Sequence, residues 1–357
     1  MSKIVFILGA GASKESGAPV MNNFLDIAKD LYSTNAIINE SRSHFEQVFR
    51  AIGLLQSVHS KSNLDLENIE SIFNAFEMGK LINRIPGYDG DIVSLIESLK
   101  VLIVETLNKS VKFPCNYKER TIYPTQTYKN FTEAIKSKSK DISIISFNYD
   151  VALDYALSCS DMAPYYSLSN EKQRVIKLLK LHGSLNWFLD DDKNIHPVLI
   201  DEYIQRLASN LTPVSMLARS DISLNIRENA KEYFKTKNIT IDNMPVIVPP
   251  AWNKTEYHDA LSSVWKQAAT ELSECEYLFI IGYSLPDTDA YFKLLYALGS
   301  CSNEKLFRKI IICNPDKDVE SRFASIFGPG AQARYLFTPY TFYNALNLIK
   351  STINEIK

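Results

Sequence analysis

Apolar and polar positions divide this chain into strand-like and helix-like blocks that alternate from end to end. Residues 3–8, Lys-Ile-Val-Phe-Ile-Leu, are an almost unbroken apolar run, the pattern of a strand covered on both faces in a parallel sheet. Comparable runs recur at 141–147, 175–181, 245–248, 277–281, 309–313 and 333–337. Helical periodicity fills 22–33, 44–59, 66–82 and 90–109, then 151–158, 201–211, 226–237, 257–274, 289–298 and 340–357. Strands separated by helices predict a doubly wound parallel α/β sheet of Rossmann-like type. Two blocks break the alternation: 20–135, read as a large helical insertion, and the more polar 190–243, read as a second, partly helical one. The expectation is one domain over 1–357, its sheet core drawn from 1–19, 136–189 and 244–340.

Composition narrows the classes. A chain of 357 residues with 46% hydrophobic content can bury a large core, and a net charge of -2 argues against direct nucleic-acid binding as its main business. The five cysteines, at 115, 159, 275, 301 and 313, form no C-x-x-C pair, so neither a zinc ribbon nor a disulfide framework is predicted, and a reducing cytoplasm fits. No run approaches the ~20 apolar residues that cross a bilayer. The short apolar start leads straight into a glycine turn without a cleavable site, so a secretory leader is not expected either. No metal and no membrane partner are predicted.

Candidate chemistry sits directly after the apolar runs. Gly9-Ala10-Gly11-Ala12-Ser13 follows the first, with Ser16-Gly17-Ala18-Pro19 beyond it. Gly9 allows a sharp turn, Gly11 allows backbone N–H groups to approach a pyrophosphate, and a following helix offers unpaired amides. The spacing departs from Gly-x-Gly-x-x-Gly, and no acidic residue is placed for an adenosine ribose. Taken alone, the turn is also open to being a simple strand-to-helix connection. Asn148 and Asp150, His182, Ser284 and Asp287, and Asn314 also follow apolar runs. Ligands of doubly wound sheets bind beyond the carboxyl ends of the strands, so five such ends predict one shared crevice.

The ordered motifs are Gly9-Ala-Gly-Ala-Ser13 with Ser16-Gly-Ala-Pro19, Phe147-Asn-Tyr-Asp150, Leu181-His-Gly-Ser184, Val248-Pro-Pro250, Ile281-Gly-Tyr-Ser-Leu-Pro-Asp-Thr-Asp289 and Cys313-Asn-Pro-Asp316. Together the chain resembles the sirtuin superfamily, and more closely the bacterial sirtuin-like domains that consume NAD+ as anti-phage effectors. The resemblance implies NAD+ as substrate, Asn148 holding the ribose side and attacking water, and His182 as general base. It implies Asp150 against the nicotinamide carboxamide, Ser284 and Asp287 toward the phosphates and adenosine, and Asn314 toward the adenosine ribose. Gly9, Ala10, Gly11, Ala12, Ser13, Pro19, Gly183 and Gly282 complete the implied binding set. Two family elements are missing. Protein deacylases carry a four-cysteine zinc ribbon after the histidine and a phenylalanine-arginine element after the glycine turn. Here Pro19 leads instead to Val20-Met21-Asn22-Asn23-Phe24.

The implied activity is therefore an NAD+ glycohydrolase that cleaves the nicotinamide–ribose bond, by hydrolysis or cyclisation, and depletes NAD+ in anti-phage defence. An NAD-dependent deacylase and a non-catalytic NAD or ADP-ribose sensor are the alternatives; a nuclease is disfavoured by the lack of a carboxylate cluster. The resemblance also implies a homo-oligomer and a partner such as a HerA-type ATPase or a phage-sensing component. Independently, a histidine with an ordinary pKa near ~6.5 suits proton acceptance at cellular pH. Asp150 also reads as a helix N-cap, Ser284 and Asp287 as turn and cap residues, and Asn314 as an Asn-Pro turn. His44, His59, His196 and His258 lack metal-ligand spacing. Glu67-Asn-Ile-Glu70 reads as a solvated helix face with Asn68 or Glu70 near a pocket mouth, and Trp187, Trp252 and Trp265 read as packing residues.

Overall fold

The computed structural model describes residues 3–37, 39–56, 64–168, 175–211, 219–248, 258–287, 289–301 and 305–356. His59, Pro249, Pro250 and Trp252 lie outside the described residues. In chain order the elements are β1 (Lys3–Leu8), α1 (Ala10–Ser13), α2 (Phe24–Ser33), α3 (Asn39–Gln56), α4 (Ile69–Leu81), α5 (Ile92–Ser110), β2 (Phe113–Asn116), β3 (Thr121–Ile122), α6 (Gln126–Ile135), β4 (Ile142–Ser146) and α7 (Ala152–Cys159). There follow β5 (Pro164–Tyr165), β6 (Ile176–Lys180), β7 (Gly183–Leu189), β8 (Ile195–Pro197), α8 (Ile200–Ser209), β9 (Arg219–Ile222), α9 (Ile226–Lys235), β10 (Pro245–Ile247) and α10 (His258–Ser273). The chain closes with β11 (Cys275–Ile281), α11 (Ala290–Gly299), β12 (Lys309–Cys313), α12 (Asp318–Ile326), α13 (Pro329–Gln332), β13 (Tyr335–Thr338) and α14 (Phe342–Glu355).

Seven strands form one parallel sheet in the order β13-β12-β11-β1-β4-β6-β5. This is the doubly wound α/β architecture. The chain lays β1 in the middle, builds outward through β4, β6 and β5, then returns to place β11, β12 and β13 on the other side. The sheet therefore reverses its winding between β1 and β11, where such sheets leave a crevice beyond their carboxyl edge. Ile4 to Leu8 are fully buried, which explains their unbroken apolar pattern. Phe6 stacks on Phe279 of β11 at 4.6 Å and meets Phe131 of α6 edge-on at 5.1 Å.

Several elements depart from the sequence-based expectation. The 245–248 run does not join the main sheet. As β10 it pairs antiparallel with β7, and β8 pairs on the far side of β7 in a separate three-stranded sheet. Strands β2, β3 and β9 make a second small sheet that ties the segment after α5 to the 190–243 region. Their runs are short and alternate weakly, so periodicity does not reveal them. Helices α6 and α12 also escaped the pattern reading. The helix expected directly after the glycine turn is a single turn, α1, running into a short 3-10 segment at Lys14–Ser16.

The edge of the sheet opposite the crevice is held by a buried carboxylate. Glu271 of α10 accepts from Lys177 of β6 and Ser143 of β4, and Lys3 of β1 lies 2.5 Å away. Burial alone would raise its pKa; the hydrogen bonds from Lys177, Lys3 and Ser143 outweigh it and lower the group to about 2. A depressed carboxylate stabilises the fold above its unfolded pKa, here about 4.5, and the contribution disappears as pH falls toward 2. Urea unfolding of Glu271→Gln at pH 7 is expected to show a loss on the order of 3 kcal/mol. Between pH 4.5 and 2 the deficit relative to the native chain should shrink. An unchanged deficit across that window would contradict the assignment.

Candidate functional site

The carboxyl edge of the sheet opens into a cavity of about 810 Å³, large enough for a dinucleotide. The ends of β1, β4, β6, β11 and β12 all contribute: Ala10 and Gly11, Asn148 and Asp150, His182, Gly282 and Ser284, and Asn314. Pro19 lines it too, as do Asn68, Ile69, Glu70 and Phe73 of the α4 region and Phe342 at the start of α14. Gly9, Ala12, Ser13, Gly183 and Asp287 do not line it.

The glycines act differently from the expectation. Gly9 N–H donates to Ile281 O at 3.1 Å, Gly11 N–H to Gly282 O at 2.9 Å, and Ala12 N–H to Gly9 O at 2.9 Å. These amides are consumed inside the protein and do not face a pyrophosphate. The small residues instead let two loops touch backbone to backbone. A Cβ on Gly9 would lie 2.5 Å from Tyr283 Cα, and one on Gly282 only 2.3 Å from the amide nitrogen of Ala12. Gly282 also has φ +62°, a left-handed conformation that other residues adopt at a cost.

Ser13 is fully buried and serves as a hub. Its hydroxyl accepts from Asn148 Nδ2 at 2.9 Å and shares a 2.8 Å hydrogen bond with Tyr128 Oη. Asn148 N–H donates to Ser146 Oγ at 3.1 Å. With its amide nitrogen anchored, Asn148 presents Oδ1, which is buried and finds no partner among the described residues. Such an oxygen is costly to bury unpaired.

His182 follows β6 in a turn fixed on several sides. Trp265 Nε1 donates to Leu181 O at 3.1 Å, and Val248 N–H donates to His182 O at 2.8 Å. Gly183 has φ +85°, and a Cβ there would sit 2.1 Å from Val246 O. The displaced strand β10 therefore pins the turn that carries the histidine. Phe147 packs edge-on to the imidazole at 5.0 Å and stacks on Tyr283 at 4.3 Å. His182 Nε2 lies 3.8 Å from Asp289 Oδ2.

Asp150 combines two readings. It is buried and lines the cavity, while Oδ1 accepts from Ala152 N–H at 3.0 Å at the start of α7. Burial raises its pKa, partly offset by Lys180 and the Ser13 hydroxyl. Beneath it Lys180 Nζ donates to Asp150 O at 2.6 Å and to Asp154 Oδ2 at 3.1 Å; Tyr166 Oη donates to the other oxygen of Asp154 at 2.7 Å. This buried tier anchors the ends of β4 and β6 together.

Other predicted residues are placed as follows. Asp287 turns outward, almost fully exposed, and pairs with Lys293 at 3.2 Å; the turn directs Ser284 inward and leaves the carboxylate in solvent. Asn314 Nδ2 donates to Tyr283 O at 3.3 Å and its Oδ1 accepts from Asp316 N–H at 3.0 Å, so the Asn-Pro turn and the cavity position coexist. Asn68 and Glu70, the pair read as near a pocket mouth, both line the cavity; Glu70 is buried there rather than on a solvated face, whereas Glu67 is exposed. Burial, with Glu70 and Asp289 nearby, holds the Tyr149 phenol far above its ordinary range, and Tyr283 is raised in the same way. Sequence reasoning passed over Asp289, Lys14 and Arg322, the last two being exposed cations on the cavity rim. Asp289 ends a quoted motif and Lys14 follows the glycine turn, which were the available signals. His44 bonds Ser98 and His196 bonds Asp190, both structural pairings, and Trp187 is fully buried. Among the described residues no group of His, Cys, Asp or Glu is arranged to hold a metal, and no helix is long and apolar enough to cross a membrane.

No protein-family model matches the chain, and comparison with the curated proteins gives no match. Among solved structures it is similar to a Sir2 enzyme at TM-score 0.43 and 13% identity, covering 100% of this chain and 94% of that one. A Sir2 homologue in complex with NAD gives 0.43 and 13%, covering 99% and 90%. A Sir2 homologue variant bound to ADP-ribose gives 0.38 and 12%, covering 99% and 94%. At these values the likeness is one of general layout, and the site is defined by its own geometry.

Two substitutions test that geometry. Gly282→Ala should lower stability by at least about 2 kcal/mol in denaturant unfolding, because it combines a left-handed φ with a backbone clash. Ser13→Ala should cost about 1–3 kcal/mol by stripping Asn148 and Tyr128 of a buried partner. Wild-type stability in either variant would show that the loops are not held as described.

Proposed function

We propose that the chain hydrolyses NAD+ to nicotinamide and ADP-ribose. The observation that carries this reading is the placement of Asn148 and His182 on the wall of one dinucleotide-sized cavity, with Asn148 Oδ1 buried and without a partner among the described residues. In the proposed reaction the bond between ribose C1′ and the pyridinium nitrogen breaks, its electron pair leaving with neutral nicotinamide. The oxocarbenium-like sugar is captured by water, whose proton passes to His182. The leaving group needs no acid, so the site has only to orient the sugar, hold water and accept one proton.

Asn148 would accept from a ribose hydroxyl or the attacking water. Asp150 would accept from the carboxamide NH2, Ser284 and Asn314 would meet the adenosine half, and Lys14 and Arg322 would face the diphosphate from the rim. Pro19, Ala10, Gly11 and Gly282 would shape the walls. Gly9, Ala12, Ser13 and Gly183 would act behind them, by close packing and hydrogen bonds. The motif likeness to bacterial sirtuin-like effectors supports NAD+ depletion during phage infection as the physiological role. A toxic activity has to be restrained in uninfected cells, which fits control by self-assembly or by a partner such as a HerA-type ATPase or a phage-sensing component.

The test is direct. Purified protein is incubated with NAD+, alone and with candidate partners, while nicotinamide and ADP-ribose are followed. Asn148→Ala and His182→Ala should each lower turnover at least about 100-fold with the fold retained. Cleavage that depends on an acylated peptide would replace this reading with a deacylase, and binding without turnover under every condition with a sensor.

A further inference from the structure

We propose that Asp289, held in place by Tyr283, is a positioning residue that orients His182 and supports its positive charge when it takes up a proton. The proposal rests on the reading of His182 as the base. Both side chains are buried, and His182 Nε2 lies 3.8 Å from Asp289 Oδ2. That distance exceeds a hydrogen bond, so the carboxylate acts on the neutral imidazole through space, and the attraction becomes one between opposite charges once the imidazole is protonated.

The carboxylate is fixed through both oxygens. Oδ2 accepts from Tyr283 Oη at 2.7 Å, and Oδ1 accepts from Phe292 N–H at 3.3 Å, capping α11. Tyr283 is itself locked, stacked on Phe147 and edge-on to Phe292 at 5.1 Å. Phe147 is also the ring packed against His182. A single aromatic cluster thus sets the position of the imidazole and of its counter-charge together. Tyr283 remains a protonated phenol, because burial and the neighbouring Asp289 raise it far above its ordinary range, and its donated bond favours the ionised carboxylate.

The other polar groups around the imidazole come from different elements. Tyr149 follows β4, with its ring 6.3 Å from the imidazole and its hydroxyl directed to Val248 O at 3.2 Å. Glu70 of α4 is another buried carboxylate of this region, close enough to raise both Tyr149 and Tyr283. Trp265 of α10 reaches the backbone before His182. Among these groups Asp289 has its Oδ2 3.8 Å from Nε2. In the proposed step the proton from water goes to His182 and stays there until release to solvent; Asp289 remains an anion throughout.

The test titrates His182 by NMR in the full chain labelled at histidine Cε1, its signal assigned by loss in His182→Gln. Asp289→Asn keeps volume and one acceptor while removing charge; it should lower the titration midpoint by at least about 0.5 pH unit, and Asp289→Glu should restore most of it. Tyr283→Phe, which keeps the ring, should move the midpoint the same way by a smaller amount. In NAD+ turnover, Asp289→Asn should reduce kcat at least about 10-fold, shift the acid limb of the profile to lower pH, and leave KM within about 2-fold. An unmoved midpoint in Asp289→Asn, or a larger displacement in Glu70→Gln, overturns the proposal even if NAD+ is cleaved. A displaced midpoint in a chain that never cleaves NAD+ overturns the hydrolase reading and leaves the His182–Asp289 coupling standing.

Discussion

The site depends on one steric constraint: two loops cross with no side chain between them. The turn after β1 and the turn after β11 meet through Gly9, Gly11 and Gly282, joined by amide-to-carbonyl bonds at 2.9 and 3.1 Å. This contact closes the point where the sheet reverses its winding. It also brings Ser13 within reach of Asn148 and sends Tyr283 toward Phe147 and Asp289. Any side chain at the crossing would separate the loops, and the hub serine, the amide and the aromatic cluster would lose their common frame.

Above that crossing the polar groups are arranged in tiers. The lowest is a buried ion pair, Lys180 with Asp154, completed by Tyr166 and the carbonyl of Asp150. It sits among apolar strands where an unpaired charge would be very costly, so neither member is free to move without the other. The middle tier holds Asn148, Asp150, His182 and Asp289, each bonded or packed on the side away from the cavity. Such one-sided satisfaction leaves few motions open to them and reduces the ordering required when a ligand arrives.

Much of this architecture was legible in the chain. Strands buried on both faces produce unbroken apolar runs, so the parallel sheet could be read from residues 3–8, 141–147 and 277–281, and the polar residues after those runs fall along one edge because all the strands point the same way. What escaped has physical reasons. Strands β2, β3 and β9 have two to four residues each, too short for a period to register. The destination of β10 is a long-range choice, made by its pairing with β7 beside Gly183. The glycine turn looks alike whether its amides face a ligand or another loop; only the partner, 271 residues further along at Gly282, distinguishes them. Glu70 belongs to a helix whose polar face looks solvent-bound until the cavity is in place, and Asp289 looks like an ordinary cap, which it also is.

The cations of the cavity rim stand apart from all of this. Lys14 and Arg322 are exposed, and among the described residues Arg322 reaches the tiers below through the carbonyl of Ser284, at 3.1 Å. Substitutions there leave the glycine crossing, the buried ion pair and the histidine turn intact. The charge presented at the mouth can therefore be changed independently of the packing that holds the cavity floor in shape.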